Sequence, residues 1–187
     1  MIFEWQIEDI FSSHPDLYLD HCAAMAVALL SPHATSSLFN LNCEGFVLAD
    51  LEESFPVQIQ VRWTEDTFRN SQKILATEQR TPLVERASVA LTALLFAHFI
   101  PNSQMRVTQR GELADYWLPK LQCALEISGT EKVREVSRRR KMKAKQVLAN
   151  PLGWPGYVTI CCFAKSQPSI YWSFHSQPQA EEKYDEA

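Results

Sequence analysis

Apolar positions in the first half of the chain follow two different periods, and each period predicts an element. The run over about 16–30 has the apolar content of a buried helix, and the polar segment 33–40 reads as a loop. Strict alternation over 57–62 predicts a half-exposed strand, after which Thr64 is the predicted N-cap of a helix. Residues 1–14 are mixed and predict a short capping element.

The pattern of the second half of the chain predicts a central helix, a charged helix and several short strands. Thr81 is predicted to cap a central helix that has Pro82 at its first position, and a basic helix is predicted over about 130–149. The predicted strands are the segments QMRVTQ, LADYWL, CALEIS, YVTICCFA and SIYWSFH. This order predicts an α/β or α+β fold in which a mixed central sheet is flanked by helices.

Length and composition narrow the class of protein. A chain of 187 residues with 46% hydrophobic content predicts one domain with a real core. We expect a region of helix and strands over 1–80 that packs on a core over 81–175, with a disordered polar tail over 176–187. The acidic start, the lack of a long apolar run and the five cysteines, none in a C-x-x-C pair, predict a cytoplasmic protein with reduced thiols, no membrane span and no zinc site.

Positive charge is concentrated in one segment. Residues 132–145 hold eight of the 18 basic residues and one acid, so they carry +7 while the rest of the chain carries −11. On a helix, Lys132, Arg139, Lys143 and Gln146 fall within about 60° of one another, beside the apolar face. Such a stripe suits contact with phosphates or with an acidic partner. A solvated helix face, with Gln146 as a surface amide, is the alternative.

Two acids stand in predicted neighbouring strands. Asp115 opens one strand and Glu126 lies within the next, where alternation puts Glu126 and Ser128 on the same face. Two close carboxylates need a compensating cation, and Mg²⁺ accepts one or two carboxylates together with water and phosphate oxygens. The alternative is a structural ion pair with Arg110 or Arg140.

These segments together resemble the core of the PD-(D/E)XK nuclease superfamily over roughly 80–175. The matching pieces are Glu85 in LVERAS, Asp115 in LADYWL, Glu126 in LEISG and Gln146 after RRRKMKAK. The chain is also similar to a group of bacterial proteins in which DYWL is followed by LEVSG. The resemblance implies a restriction-endonuclease-like core and a Mg²⁺ or Mn²⁺ site at Glu85, Asp115 and Glu126. On the residues alone, Glu85 also reads as an acid in the first turn of a helix.

The chain departs from that pattern at one position. The superfamily has a lysine two residues after the strand glutamate, and Ser128 stands there in this chain. A lysine from the basic helix would have to replace it, and Lys143 is better placed than Lys132 or Lys145.

The resemblance leaves two functions open. One is a metal-dependent nuclease of phage defence or of a mobile element, and the other is a catalytically inactive nuclease-fold subunit of a larger complex. The expected catalytic residues are Asp115, Glu126, Lys143 and Gln146. The expected nucleic-acid-binding residues are Lys132, Arg139, Arg140 and Lys143. The expected partners are DNA or RNA, with other protein subunits or a second copy of the chain as further candidates, and no membrane.

Overall fold

A computed structural model describes residues 1–30, 36–44, 57–108, 114–165 and 168–176, and it contains one mixed sheet. The strands are β1 (Ile2–Gln6), β2 (Ser36–Glu44), β3 (Val57–Arg62), β4 (Arg106–Val107), β5 (Tyr116–Leu118), β6 (Cys123–Thr130), β7 (Gly156–Cys162) and β8 (Ser169–His175). The α-helices are α1 (Asp9–Ser13), α2 (Leu19–Leu30), α3 (Glu65–Thr77), α4 (Arg80–Phe99) and α5 (Val136–Leu148). Short 3₁₀ turns lie at Pro119–Leu121 and Val133–Glu135.

The strands are ordered β1-β3-β2-β8-β7-β6-β5-β4 across the sheet. Neighbouring strands are parallel at β1–β3, β2–β8 and β6–β7 and antiparallel elsewhere. Helix α5 makes the crossover between the parallel strands β6 and β7, as such connections require. The prediction of a mixed sheet flanked by helices is confirmed. The predicted division at residue 80 stays a prediction, and the sheet itself runs across it.

The two faces of the sheet are covered by different helices. Helix α4 packs on β6 and β7 from one side and against α2, while α5 packs on the same two strands from the other side. Among the described residues α4 is the one helix long and apolar enough to cross a membrane, and 61% of its apolar window is buried within the protein. This degree of burial agrees with a core helix.

Several predicted boundaries need correction. The prediction of a loop over 33–40 is wrong from Ser36 onward, because β2 begins there and pairs with both β3 and β8. Pairing on two sides outweighs a polar sequence with weak strand propensity. The capping element over 1–14 contains an edge strand, β1, followed by α1.

The predicted helix caps differ in outcome. Thr64 is confirmed as an N-cap, since its Oγ1 accepts a hydrogen bond from the amide of Thr67 at 3.3 Å. Thr81 is not a cap, because α4 begins at Arg80 and Gln79 precedes it without a side-chain cap. A proline is tolerated throughout the first turn, so Pro82 does not fix the first helical residue. The tail predicted to be disordered lies, beyond Ser176, outside the described residues.

Candidate functional site

Strand β6 is buried along its whole length, but its two faces carry different chemistry. Leu125 and Ile127 join the large apolar core beneath α4. Glu126 and Ser128 point to the opposite face, since side chains alternate along a strand. The register predicted from the alternation therefore brings a carboxylate and a hydroxyl beneath α5.

Asp115 lies directly before β5 and faces Glu126. The antiparallel register pairs Tyr116 with Leu125, so the next residues outward are Asp115 and Glu126. The Asp115 carboxylate also continues the ladder beyond the end of β5, because its Oδ2 accepts a hydrogen bond from the amide of Ile127 at 2.9 Å. Asp115 is thus held by the backbone of β6.

Lys143 of α5 joins the two acids. Its ammonium nitrogen donates to Asp115 Oδ2 at 2.7 Å and to Glu126 Oε2 at 2.5 Å. The side chain of Glu126 is 1% exposed and that of Lys143 is 11% exposed, whereas Asp115 is 39% exposed. The three side chains, named here the acid–lysine cluster, run from the interior to the surface.

The charges of the acid–lysine cluster do not balance when all three groups are ionised. Burial raises the pKa of Glu126 to about 7, although the hydrogen bond from Lys143 opposes this shift and the charge of Asp115 adds to it. Burial also disfavours the charged form of Lys143, but hydrogen bonds to the two carboxylates outweigh that effect and its pKa is raised. Lys143 is therefore the fixed charge, and protonation of Glu126 removes the excess negative charge.

Two buried side-chain oxygens, one on β6 and one on α5, have no hydrogen-bond partner within the described part of the chain. They are Oε1 of Glu126 and Oε1 of Gln146. Buried polar atoms are nearly always paired, so an unpaired carboxylate oxygen marks a position that suits a water or an ion. Gln146, a residue of α5, is half-buried and its amide oxygen is buried, so it is not the surface amide of the alternative interpretation.

A second cation approaches from α5 one turn before Lys143. Arg139 Nη1 donates to the hydroxyl of Ser128 at 2.9 Å, and its Nε and Nη2 donate to Glu135 Oε2 at 3.2 and 3.0 Å. The resemblance to the nuclease superfamily predicts a lysine at the position of Ser128. A guanidinium from α5 therefore takes the place next to the strand where that lysine is expected.

The acid–lysine cluster opens onto a cavity of about 600 Å³. Asp115, Ser128, Arg139 and Lys143 line it together with Glu85 of α4. Glu85 is an exposed residue of that wall. Glu126 lies behind the lining, and Lys143 connects it to the open space.

The remaining predicted basic residues divide between two other places. Lys132 lies beside Glu135, with 3.7 Å between Nζ and Oε1, and lines a smaller neighbouring cavity of about 230 Å³. Arg140 lies on the other side of α5, with its guanidinium 5.6 Å from the centre of the Tyr171 ring. The acids pair with Lys143 and not with Arg140, and Arg110 lies outside the described residues.

The donor set fits a divalent cation held by two carboxylates. Mg²⁺ commonly takes one or two carboxylates and fills its remaining positions with water and phosphate oxygens. Within the described residues no group of three or more Asp, Glu, His or Cys is arranged to hold a metal. In this geometry Glu85 does not join the two acids in such a group, and its role as a metal ligand stays a prediction.

Comparisons of the chain with family models, with curated proteins and with solved structures found no match. What the acid–lysine cluster does is therefore inferred from its own geometry.

Sequence reasoning missed the contact between Arg139 and Ser128. The sequence spacing predicts part of this contact. Arg139 and Lys143 are four residues apart on a helix, and Ser128 and Glu126 are two apart on a strand. Each pair therefore shares one face, and contact between Lys143 and Glu126 brings the other two together. Reasoning from sequence also did not find Arg86 and Met142 in the cavity wall, since neither belongs to a polar pattern.

Proposed function

We propose that the chain is a Mg²⁺- or Mn²⁺-dependent nuclease that hydrolyses phosphodiester bonds of DNA or RNA. The observation that supports this proposal most is Glu126, a fully buried carboxylate with an unpartnered oxygen. It stands opposite a second carboxylate, at the back of an open cavity with cations in its wall. Burial of an acid such as Glu126 is unfavourable for folding alone, and perturbed acids in a cleft are typical of functional sites.

The arrangement of elements supports a restriction-endonuclease-like core over 81–175. A helix, three antiparallel strands, a crossover helix and a parallel strand follow one another as α4, β4, β5, β6, α5 and β7. The two acids lie on β6 and immediately before β5, where the nuclease pattern has them. Fold does not decide function, so the proposal rests on the acid–lysine cluster.

Each residue has a role that its position allows. Asp115 and Glu126 would hold the divalent ion, which when bound supplies Lewis acidity for water activation and for the charge that develops on the phosphodiester. Lys143 and Arg139 present cations to the cavity and would hold the phosphate of the substrate. Ser128 fixes the direction of the Arg139 guanidinium through their hydrogen bond. Gln146 of α5 has a buried amide oxygen that is not hydrogen-bonded within the described residues.

The test is cleavage of plasmid, single-stranded DNA and RNA with Mg²⁺ or Mn²⁺. We expect cleavage that chelation with EDTA stops, and a loss to background when Asp115→Ala and Glu126→Ala are combined. Glu65→Gln is the matched control, because Glu65 is an exposed acid of α3 outside the cavity lining. Cleavage that survives the double substitution would refute the site.

One observation favours a second function, an inactive nuclease-fold subunit of a larger complex. Ser128 replaces the pattern's lysine, and Arg139, which lies there instead, is also paired with Glu135. An arginine cannot give up its proton at neutral pH, so it binds phosphate but does not act as a general base. Salt-dependent binding of nucleic acid without any cleavage in the same assay would select this function.

A further inference from the structure

The ammonium group of Lys143 lies where the two carboxylates meet. It contacts one oxygen of each acid, at 2.7 Å for Asp115 and 2.5 Å for Glu126. A Mg²⁺ ion binds oxygens at about 2.0–2.1 Å. An ion held by both acids therefore has to use the oxygens that Lys143 holds or crowd against its ammonium group.

The charges of the acid–lysine cluster also indicate that Lys143 and a divalent ion compete for the two acids. When both carboxylates are ionised, as a bound metal requires, the two acids and the ammonium sum to −1, and addition of a divalent ion changes the total to +1 in a largely buried place. Like charges in contact repel strongly where water is scarce. Binding of the ion is therefore opposed by Lys143 as long as its ammonium stays between the acids.

Lys143 has an open space into which it can move. Its side chain has a flexible four-carbon stem, and it lines the cavity of about 600 Å³ beside Arg139. An anionic group in that cavity, such as a phosphodiester, would attract the displaced ammonium group. The carboxylates would then be free for the metal at the moment when a substrate is present.

We propose that Lys143 is a built-in competitor for the divalent ion, which leaves the two acids when a phosphodiester enters the cavity. This inference rests on the proposed metal-dependent function. It makes metal binding and nucleic-acid binding mutually favourable, because each ligand moves Lys143 to the position that the other requires. Such coupling is reciprocal by thermodynamic necessity.

The first experiment measures Mn²⁺ binding without nucleic acid, by the electron paramagnetic resonance signal of free Mn²⁺. Lys143→Met is expected to bind Mn²⁺ about 5- to 150-fold more tightly than the wild-type chain, the range typical of coupled sites. Lys145→Met is the matched control, since Lys145 is an exposed cation two residues further along α5. It should leave the affinity unchanged.

The second experiment needs no substitution in the acid–lysine cluster and so does not depend on the folding of a variant. Mn²⁺ binding to the wild-type chain is measured with a phosphorothioate oligonucleotide, which resists hydrolysis, and with an uncharged methylphosphonate oligonucleotide. After subtraction of the Mn²⁺ that each oligonucleotide binds in the absence of protein, the charged oligonucleotide should tighten Mn²⁺ binding to the chain and the uncharged one should not.

The outcomes separate the two proposals. If the wild-type chain binds Mn²⁺ but Lys143→Met binds it equally or more weakly, and the oligonucleotides have no effect, the competition is refuted while the metal site stands. If no protein binds Mn²⁺ with or without an oligonucleotide, the metal site is refuted and the competition with it.

Discussion

The two faces of strand β6 differ in chemistry. Both are buried. The face toward α4 holds Leu125 and Ile127 in an apolar core, whereas the face toward α5 holds Glu126 and Ser128 in hydrogen bonds with Lys143 and Arg139. Apolar burial stabilises a fold without further partners. Buried charge seldom adds net stability, so its presence on one face points to function.

The largest expected difference between the two faces of β6 is in how much a substitution changes the free energy of unfolding. Leu125→Ala should lower the free energy of unfolding by about 2–5 kcal/mol, because it leaves a cavity under α4. Glu126→Gln keeps the shape of the side chain and removes the excess charge of the acid–lysine cluster, so its effect should be smaller than about 1 kcal/mol. Urea unfolding followed by circular dichroism measures both.

The control for this comparison is Ile127→Val, which removes one methylene group on the α4 face and should cost about 0.5–1.5 kcal/mol. A destabilisation by Glu126→Gln as large as that of Leu125→Ala would show that the α5 face is structural. The same result would remove the main support for a functional site.

An intermediate effect is expected between the two sides of α5. Arg139 lines the cavity of the acid–lysine cluster, whereas Arg140 lies over Tyr171 beside Ser173 and His175. Arg139→Gln should weaken binding of a single-stranded oligonucleotide by about tenfold, through loss of a charge-assisted hydrogen bond. It should also reduce the slope of log affinity against log salt by about 0.7.

Arg140→Gln serves as the matched variant and should change the affinity less than about twofold, which is below the effect of one phosphate contact. Fluorescence anisotropy at several salt concentrations measures both variants. Equal losses would mean that the nucleic acid crosses α5 and contacts both sides, as the prediction that grouped Arg140 with Arg139 implies.

Much of the site was predictable because it depends on periods within one element. Alternation placed Glu126 and Ser128 on one face, and helical spacing put Lys143 on the stripe that borders the apolar face. The rotation of α5 about its own axis was not predictable. It is set by packing of Val136 and Val147 against β7, and this packing separates Arg139 from Arg140.

The fold was least predictable where pairing partners are distant in the chain. Strand β2 has a polar sequence, and its pairing with β8 joins residues 129 positions apart. No local pattern reports such a partner. By contrast, β5 and β6 are joined by a short turn, so their pairing followed from the sequence.

The smallest expected effect is a pH dependence of stability that comes from His14, a buried polar residue next to α4. His14 is 2% exposed, yet both ring nitrogens are satisfied: Nε2 lies 3.1 Å from the Ala93 carbonyl oxygen, and Nδ1 accepts from the Met105 amide at 3.2 Å. Burial lowers the pKa of His14, although the hydrogen bond to the carbonyl of Ala93 opposes the shift. The neutral ring is therefore the form that the folded protein prefers.

The sign of the pH dependence follows from that shift. Below about pH 6.5 the unfolded chain binds a proton at His14 before the folded chain does, so stability falls with falling pH until the folded-state pKa is reached. Above about pH 6.5 both states are neutral at His14, and this contribution to stability is complete. Urea unfolding between pH 5 and 8 should show that His14→Gln loses less stability than the wild-type chain as the pH falls. The opposite contribution of Glu126, whose pKa is raised to about 7, is present in both chains. An unchanged pH dependence in His14→Gln would show that His14 is not the buried group that titrates.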